Sequence, residues 1–511
     1  MISIRRALLS VSDKSGLLDL ARVLHDQGVQ LIASGGTASA LQSAGLPVTF
    51  VEQWTGHPEA MEGRIKTLHP RIHGGILARR DHSGDVEDMK RLGLEPIDLV
   101  VVNFYPFRQT LASGKPHEEI VEAIDVGGPS MVRAAAKNCD HVVVLTDTAQ
   151  YGEFVALLQK DDGVPEDFAH RCAAQAFAAL VSYDSAIAEW LNGGRIRPLV
   201  LNEMRKLRYG ENPHQQAALF ANYGAPLGGL VAADQLAGKE MSYNNFLDAD
   251  GALKLVSEFD DPAAIIIKHV TPCGVGVAEN CAEALKLALE TDRVSAFGGI
   301  VAFNRELDAE TAALLSDIFL EIVLAPSFAP EARAALAKKK ALRLMTYDWN
   351  ALRYRHASTE IRQIWGGYLV QDADYGLPEL DDLKVITKRA PTGQELAGLA
   401  LAWKVCKHVR SNAIVFSDYR HTLGIGAGQM SRVDSAQLAV RKAQAANLNL
   451  RGSVCASDAF FPFRDGLDVA AEAGATAMIQ PGGSVRDEEV IAAADEHDMA
   501  MVFTGRRHFR H

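Results

Sequence analysis

Short apolar runs alternate with amphipathic helical patterns over the first 150 residues, and this alternation constrains the fold more than any other feature of the sequence. Apolar runs at Ala7–Val11 and Val29–Ala33 predict two strands. Between them, leucines and alanines recur at helical spacing from Leu17 to Leu24, and Gly28 is a natural helix stop. Strands that alternate with helices in this way are typical of a parallel α/β domain.

The pattern continues through the rest of this domain, which we place at residues 1–150. A tight turn at 34–37 leads into a short helix over Thr37–Ala44, and buried strands are expected at Asp98–Asn103 and His141–Leu145. Residues 151–199 are predicted to be a helical linker between two domains, with the alanine-rich stretch Phe168–Leu191 as its main helix.

A second region, residues 200–511, is again predicted to be α/β. The triplet Lys-His-Val occurs at 268–270 and at 407–409, which suggests two related halves with a boundary near 370–390. The expected strands are Ile265–Lys268, Gly299–Phe303, Ala413–Phe416, Ser453–Ala456 and Ala500–Phe503, and the expected helices are Ala282–Glu290, Gln394–His408 and Ser435–Ala446.

Composition limits the classes of function. Among 511 residues, 52 are Lys or Arg and 64 are Asp or Glu, so the net charge of −12 predicts no overall attraction to nucleic acid. The six cysteines include no C-x-x-C pair, which argues against a disulfide framework or a zinc ribbon. No apolar stretch approaches the length of a membrane span and no long apolar leader is present, so we expect a cytoplasmic protein without membrane association.

Two polar turns in the first domain suit a phosphate. Ser10–Gly16 follows a strand and opens a helix, and Ser34–Thr37 repeats this arrangement one unit later. Backbone N–H groups, hydroxyls and a lysine at the carboxyl ends of adjacent parallel strands favour an anion. The alternative is that each segment is an ordinary turn with an N-cap.

The segment Gly63–Gly75 carries three cations and two histidines without an acidic residue, which predicts an anion-binding loop. A solvated basic loop is the alternative. Metal binding by His69 and His73 is less favoured, because no Asp, Glu or Cys in this loop completes a coordination shell.

Three ionisable side chains are expected near one cleft of this domain. Tyr105 follows the buried strand that ends at Asn103, whereas Asp125 precedes the helix that carries Lys137. A partly desolvated lysine beside other cations exchanges protons near neutrality. Lys137 can equally be an ordinary surface residue of an alanine-rich helix.

Lys268 and His269 follow the apolar run Ala263–Ile267, which places a cation and a proton acceptor at the end of a predicted buried strand. This pair suits attack of a weak nucleophile on an acyl carbon, because the histidine accepts a proton and the lysine stabilises the oxyanion. The alternative is a solvated lysine beside a histidine that caps the strand. Further polar or glycine-rich segments are expected at strand or helix ends, namely Leu207–Gln215, Ser295–Gly299, Ser411–Asn412, Gly424–Arg432 and Ser457–Asp465.

These segments, in this order, make the chain resemble a family of bifunctional purine-biosynthesis enzymes that join a phosphoribosylaminoimidazolecarboxamide formyltransferase to an IMP cyclohydrolase. The resemblance covers essentially the whole length and rests on Ser-Val-Ser-Asp-Lys, Lys-Thr-Leu-His-Pro, Arg-Tyr-Gly-Glu-Asn-Pro-His-Gln, Lys-His-x-x-Pro-Cys-Gly and Ser-Asp-Ala-Phe-Phe-Pro-Phe-Arg-Asp. It implies an N-terminal domain like methylglyoxal synthase for ring closure and two cytidine-deaminase-like α/β halves for formyl transfer. It also implies 10-formyltetrahydrofolate as co-substrate, no catalytic metal, and a homodimer with the transformylase sites at the subunit interface.

The resemblance further implies the residues of two sites. Around the cyclised nucleotide it places Ser12, Asp13, Lys14, Ser34, Gly35, Gly36, Thr37, Arg64, Thr67, Asn103 and Val126, with Lys66, Tyr105, Asp125 and Lys137 as catalytic groups. Around the formyl acceptor it places Arg208, Tyr209, Asn245, Gly298, Glu321, Asn412 and Arg432, with Lys268 and His269 as catalytic groups. Near the folate it places Val433, Phe460, Asp465 and Arg507.

Two other classes of function remain open. A non-catalytic purine nucleotide sensor would use the same phosphate turns without needing the adjacent lysine and histidine. A zinc-dependent deaminase-like hydrolase needs P-C-x-x-C, whereas the sequence after Pro272 reads Cys-Gly-Val-Gly.

Overall fold

A computed structural model describes residues 1–160, 163–223, 228–353, 359–377 and 383–511. The chain forms two compact units, one of Met1–Asn202 with Asn222–Ala225 and one of Glu203–Ala221 with Pro226–His511. Within the described residues, no helix is both long and apolar enough to cross a membrane.

The first unit is built on a five-stranded sheet with the order β3-β2-β1-β4-β5, in which every neighbouring pair is parallel. This confirms the predicted parallel α/β domain. Its strands are β1 (Arg6–Val11), β2 (Gln30–Ala33), β3 (Thr49–Phe50), β4 (Leu99–Asn103) and β5 (Val143–Leu145). Its helices are α1 (Leu17–Asp26), α2 (Gly35–Ser43), α3 (Val51–Thr55), α4 (Pro70–Leu77), α5 (Ser83–Leu92), α6 (Phe107–Ala112), α7 (His117–Glu122), α8 (Gly127–Lys137), α9 (Tyr151–Lys160) and α10 (Glu166–Leu191).

Helices cover both faces of this sheet, which explains why its strands are continuous apolar runs. On β1, Leu9 faces the cluster that contains Leu17 and Leu20 of α1. The next side chain back, Leu8, faces the opposite cluster with Met131 of α8. Successive residues of a strand point to opposite faces, so both faces bury apolar side chains.

The long helix α10 packs within the first unit, although its sequence suggests a linker. Phe168 and Cys172 belong to one core cluster of this unit, and Ala176 and Leu180 belong to the cluster on the other side of the sheet. Residues 151–199 therefore contribute to the core of this unit.

The second unit, with the segment that leads into it, contains sixteen strands and ten helices among its described residues. The strands are β6 (Leu201–Leu207), β7 (Ala217–Asn222), β8 (Asp234–Ala237), β9 (Ala263–Lys268), β10 (Thr271–Val277), β11 (Gly299–Phe303), β12 (Leu320–Ala325), β13 (Arg343–Thr346), β14 (Thr359–Ile364), β15 (Gly367–Asp372), β16 (Lys384–Val385), β17 (Ile414–Ser417), β18 (Thr422–Gly426), β19 (Val454–Ser457), β20 (Ala477–Gln480) and β21 (Ala500–Phe503). The helices are α11 (Tyr243–Val256), α12 (Cys281–Thr291), α13 (Arg293–Ala296), α14 (Ala309–Ser316), α15 (Pro330–Leu336), α16 (Trp349–Arg353), α17 (Gly393–Cys406), α18 (Arg432–Ala445), α19 (Asp465–Ala473) and α20 (Asp487–Glu496).

Two six-stranded sheets of this unit share one topology. Their orders are β10-β9-β11-β12-β13-β8 and β18-β17-β19-β20-β21-β16, with antiparallel and parallel pairs at matching positions. The unit thus consists of two related α/β halves. The repeated Lys-His-Val triplet does not mark equivalent positions in the two halves, because 268–270 begins at the last residue of strand β9 whereas 407–409 follows helix α17.

Paired glycines on β10 and β18 mark the repeat more directly. A Cβ on Gly276 would stand 2.2 Å from the carbonyl oxygen of Ala284 in α12, and a Cβ on Gly426 would stand 1.9 Å from that of Ser435 in α18. Each strand therefore lies directly on the backbone of the following helix. The sequence predicts that Gly424–Arg432 lies at strand or helix ends, and this is confirmed, because its first three residues end β18 and Arg432 begins α18.

The edge strands β10 and β18 also lie against each other. The N–H of Val277 donates to the carbonyl oxygen of Arg420 at 2.8 Å. The N–H of Val275 donates to Thr422 Oγ1 at 3.0 Å. Each half thereby covers one edge of the other.

Candidate active sites

The carboxyl ends of β1, β2 and β4 meet at one edge of the first unit, because these strands are neighbours in a parallel sheet. Asn103, at the end of β4, accepts hydrogen bonds through Oδ1 from the N–H groups of Ser12 at 2.6 Å and Asp13 at 2.9 Å. The hydroxyls of Ser10 and Ser34 are 2.9 Å apart and join the ends of β1 and β2. The two predicted turns therefore form one cluster.

The N-terminus of α2 adds backbone N–H groups to this cluster that can bind an anion. Its first N–H groups have no acceptor within the helix. Lys66 Nζ lies 3.6 Å from the point where a Cβ on Gly35 would stand, and Lys14 Nζ lies 3.9 Å from that point on Gly36. Two ammonium groups beside a helix N-terminus favour a phosphate.

Some of the groups predicted to bind phosphate are already paired within the protein. The N–H of Asp13 is bound by Asn103, so it is not free for a ligand as the sequence suggested. Thr37 Oγ1 donates to the carbonyl oxygen of Val11 at 3.1 Å and accepts from its N–H at 3.0 Å. The hydroxyl and N–H of Ser15 donate to the Asp13 carboxylate and lower its pKa. Lys66 Nζ lies 2.9 Å from Glu59 Oε1, so part of its charge is balanced within the protein. These residues shape the cluster, and Lys14 and Lys66 are its cations.

Thr67 and the start of α8 form the next wall. A Cβ on Gly127 would stand only 2.7 Å from Thr67 Oγ1, so the helix begins directly over this buried threonine. Arg64 forms an ion pair with Glu122. The basic segment is only partly a loop, because α4 begins at Pro70.

Asp125 lies in the turn before α8 and is largely enclosed. Its carboxylate accepts a hydrogen bond from the N–H of Gly128 at 2.9 Å, and burial raises its pKa. The backbone N–H of Tyr105 also interacts with this carboxylate. The side chains of Tyr105 and Val126 are exposed, which leaves them accessible to a ligand.

Lys137 is not part of this cluster. It is the last residue of α8 and is exposed, whereas Gly127 is the first. Ten residues of helix separate their Cα atoms by about 15 Å. The start of α8 therefore lies at the first site, and Lys137 lies at the other end of this helix.

The second unit contains a cleft of about 1130 Å³, which we call the Lys268 cleft. A volume of this size accommodates a nucleotide-sized ligand. It gathers seven of the residues predicted for formyl transfer, namely Arg208, Tyr209, Asn245, Lys268, His269, Gly298 and Glu321.

Lys268 and His269 reach this cleft from the end of β9. Lys268 Nζ donates to the carbonyl oxygens of Phe297 at 3.0 Å and Gly298 at 2.9 Å, which fixes the ammonium group at the cleft wall. His269 is exposed and has a positive φ of 51°. A second, smaller cavity of about 270 Å³ also borders both residues.

A chain of hydrogen-bonded polar side chains also lines the Lys268 cleft. Asn245 Nδ2 donates to Glu321 Oε2 at 3.1 Å, and Arg343 Nη1 donates to the same oxygen at 3.1 Å. Asn245 Oδ1 accepts from the N–H of Ser242 at 3.1 Å. Because these bonds fix the carboxamide, one remaining N–H of Asn245 points to a defined acceptor position.

Sequence reasoning missed several residues that line the Lys268 cleft, among them Lys239, Asp248, Phe319, Arg343 and Arg410. Two of them leave a trace in the sequence. Asp248 follows Asn245 by three residues and so shares its helix face. Arg343 is a lone cation that opens an otherwise apolar buried strand.

Arg432 and Asp458 form the centre of a second group, which we call the Arg432 cluster. Arg432 Nη2 donates to Asp458 Oδ1 at 2.8 Å and its Nε donates to Ser457 Oγ at 2.9 Å. Both charged side chains are almost fully buried. Asn412 lies beside them, since its carbonyl oxygen accepts from the Ser435 hydroxyl at 2.8 Å.

The residues predicted to approach the folate belong to the surroundings of this cluster. Val433 follows Arg432 in α18, and its N–H lies 3.8 Å from the point where a Cβ on Gly466 would stand, next to Asp465. Phe460 follows Asp458 by two residues. Arg507 precedes His508, whose N–H donates to the carbonyl oxygen of Asp458 at 3.0 Å. Among described residues, the lining of the Lys268 cleft includes no member of this group. The residues predicted for formyl transfer and folate binding are therefore divided between the Lys268 cleft and the Arg432 cluster.

Comparisons with known proteins agree on one family. Residues 16–130 match an MGS-like domain, and residues 135–442 match the AICARFT/IMPCHase bienzyme family. Proteins named "Bifunctional purine biosynthesis protein PurH" are similar to the chain: that of Cereibacter sphaeroides is 53% identical over 100% of this chain and 99% of its own length, and that of Myxococcus xanthus is 52% identical over 99% and 100%. The crystal structure of ForH covers 38% of this chain and 100% of its own, at 34% identity and a TM-score of 0.34. Since the family model and the relatives span the described clefts and nearly the whole sequence, the chain belongs to the family of bifunctional purine biosynthesis proteins.

Proposed function

We propose that the two units perform successive reactions on one purine precursor, ring closure in the first unit and formyl transfer in the second. As a member of its family, the chain is a formyltransferase and IMP cyclohydrolase that catalyses the last two steps of IMP synthesis. A formyl-folate is the formyl donor that this activity requires. The observation that carries the assignment of the second unit is the position of Lys268 and His269 side by side at the wall of a nucleotide-sized cleft.

In our proposal, His269 is the general base of formyl transfer. The 5-amino group of phosphoribosylaminoimidazolecarboxamide is conjugated with the carboxamide and is a poor nucleophile. His269 removes its proton as nitrogen attacks the formyl carbon, and Lys268 stabilises the tetrahedral oxyanion. The bond between the formyl carbon and the folate nitrogen then breaks, and that nitrogen takes up a proton.

We propose 10-formyltetrahydrofolate as the specific donor. Phe319 lines the Lys268 cleft, and its ring centroid lies 5.0 Å from that of Phe297. Both side chains are more than half exposed and their rings are tilted by 36° to each other, so each offers an aromatic face to a pterin.

No metal has a role in this scheme. The position that a deaminase would use for zinc holds Cys273, which is buried inside β10. The second cysteine of the P-C-x-x-C signature would stand at position 276, where this chain has Gly276.

For ring closure we propose that the α2 N-terminus with Lys14 holds the phosphate. The carboxamide nitrogen bonds to the formyl carbon, and the formyl oxygen, which Lys66 contacts, leaves as water. Asp125 exchanges the proton, because its pKa is raised by burial. Intramolecular positioning of the carboxamide nitrogen against the formyl group can be worth about 7–11 kcal/mol. We give Lys137 no direct role, since it lies at the other end of α8.

We further propose that the enzyme is a cytoplasmic homodimer with its transformylase sites at the subunit interface, where the Lys268 cleft of one subunit meets the Arg432 cluster of its partner. The hairpin β14–β15 supports a dimer, because isolated two-stranded hairpins are marginally stable and this one exposes apolar side chains on its surface. The exposed apolar residues are Ile361, Ile364, Trp365, Tyr368, Leu369 and Val370. The six free cysteines agree with a reducing compartment.

The assignment of the two sites is tested with His269→Ala. This variant should lose formyl transfer from 10-formyltetrahydrofolate and retain cyclisation of the formylated nucleotide, each followed by absorbance. His497→Ala, which changes a partly exposed histidine paired with Asp468, is the matched control and should retain both activities. Loss of both activities in a folded His269→Ala protein would contradict two separate sites.

Complementation tests the shared site. His269→Ala and Arg432→Met should each be inactive in formyl transfer, yet a mixture that exchanges subunits should recover up to about a quarter of parental activity, since half of the dimers would carry one intact site. No recovery after verified subunit exchange would mean that each site lies within one chain.

A further inference from the structure

The two-residue turn His269–Val270 between β9 and β10 has an unusual backbone. Both residues have positive φ, 51° and 61°. Two-residue hairpin turns of this kind normally contain Asn and Gly, because a side chain, above all a β-branched one, is disfavoured in the left-handed region. The surrounding structure must therefore hold this turn in place.

Asp248 of α11 provides such a hold. Its Oδ1 accepts a hydrogen bond from the N–H of Val270 at 2.6 Å, and the carboxylate also interacts with the N–H of His269. It lies three residues after Asn245 on a helix whose register is fixed by a capping box at Ser242.

Val270 is held from the same helix one turn further on. Its Cγ1 lies 3.4 Å from the point where a Cβ on Gly251 would stand, so the side chain packs over the glycine. Asp248 and Gly251 thus contact the turn from neighbouring positions on one helix face, the first by a hydrogen bond and the second by packing.

We propose that Asp248 is a positioning residue for formyl transfer, which holds the left-handed turn and thereby aims His269 and Lys268 into the cleft. This inference rests on the proposed role of His269. Asp248 does not take a proton from the substrate in this scheme. Its effect on the reaction is transmitted through the backbone of the turn.

A double-mutant cycle with glycine separates this role from general stabilisation. Asp248→Ala should lower kcat of formyl transfer by about tenfold to a hundredfold with a smaller change in KM, because a misdirected base still permits substrate binding. Glycine adopts positive φ without support. In a Val270→Gly background, the same Asp248→Ala change should therefore lower kcat by less than about threefold.

Two further variants serve as controls. Asp248→Asn keeps an oxygen acceptor for the N–H of Val270 and should retain most of the parental kcat. Asp250→Ala changes an aspartate on the same helix that pairs with Lys254 at 2.7 Å, and it should leave formyl transfer unchanged. Cyclisation, measured in the same preparations, should be unaffected in all of them.

The outcomes are distinct. Asp248→Ala with parental kcat would overturn the inference, and so would an equal loss in the parental and Val270→Gly backgrounds. If His269→Ala itself transfers formyl at the parental rate, the proposed function of the cleft fails instead. Should Asp248→Ala not fold, the comparison of Asp248→Asn with the double variant decides the matter, because a positioning role requires both to be active.

Discussion

Asn103 binds the backbone of Asp13 on both sides of its Cα atom: its Oδ1 accepts from the Asp13 N–H at 2.9 Å, and its Nδ2 donates to the Asp13 carbonyl oxygen at 2.8 Å. A side chain on β4 thereby fixes the backbone that follows β1. Lys14, the next residue, is one of the two lysines beside the N-terminus of α2. The geometry of the proposed phosphate site therefore depends on a carboxamide that need not touch the ligand.

Asn103→Asp removes the donor and leaves the acceptors. The carbonyl oxygen of Asp13 loses its partner, and a negative charge enters a site for an anion, so KM for the formylated nucleotide should rise by about tenfold or more. Steady-state cyclisation kinetics measure this effect. Formyl transfer in the same protein is the control, and an unchanged KM for cyclisation would show that Asn103 does not shape the site.

Gly127→Ala should impair cyclisation as well. The new Cβ would stand 2.7 Å from Thr67 Oγ1, so either the threonine or the start of α8 must move. We expect a loss of about tenfold in kcat/KM, since displacements near 1 Å can cost more than this. Gly152→Ala, at a helical position with nothing within 4 Å of the new Cβ, is the matched control. Equal activity of the two variants would contradict close packing at Thr67.

Arg432→Lys tests the buried ion pair of the Arg432 cluster. Lysine keeps the charge but cannot reach both Asp458 and Ser457 as the guanidinium does. Formyl transfer should fall by about tenfold, and the free energy of unfolding should decrease by about 1–3 kcal/mol, because a buried polar partner is left unsatisfied. Activity assays and urea denaturation measure both. Arg486→Lys, at an exposed pair with Glu489, should change neither.

Acid should destabilise the second unit through His408. Its Nε2 lies 3.0 Å from Glu258 Oε1, and its Nδ1 lies 3.3 Å from Arg510 Nη1, so the ring is a neutral donor and acceptor. Burial lowers the pKa of His408 to about 4, below its ordinary 6.5, and outweighs the contact with Glu258, which raises this pKa. The nearby Arg510 and Lys407 act in the same direction as burial.

The direction in which stability changes with pH follows from the protons bound by the folded and unfolded states. Between pH 6.5 and about 4 the unfolded chain binds a proton at His408 that the folded protein does not, so stability falls as the pH falls through this window. The full effect is of the order of 3 kcal/mol. Urea denaturation at a series of pH values should show a flatter profile for His408→Gln than for the parent or for His497→Gln. Parallel profiles for all three would exclude this role of His408.

Local patterns predict the parts of the fold that depend on local physics. The apolar run before Lys268 predicts a buried strand with a polar pair at its end, and leucines at helical spacing predict α1. By contrast, β10 and β18 contain glycines that disfavour strands locally. These glycines are needed because a helix backbone approaches closely, as at Gly276 and Gly426. This is a tertiary contact, which a local sequence pattern cannot predict.

The candidate sites show the same division. Residue types and strand ends predict which side chains carry chemistry, as for His269 and Lys66. They do not predict which of them meet. Lys137 shares a helix with the start of the first site but lies at its other end, and Asp248 enters the second site only because α11 packs against a hairpin turn.

The contact between β10 and β18 has a consequence for any attempt to separate the two halves. Each fragment alone would expose this edge, because the N–H groups of Val275 and Val277 would lose their acceptors Thr422 and Arg420. Either half, expressed without the other, should therefore self-associate through this edge strand, so each half depends on the other for its solubility.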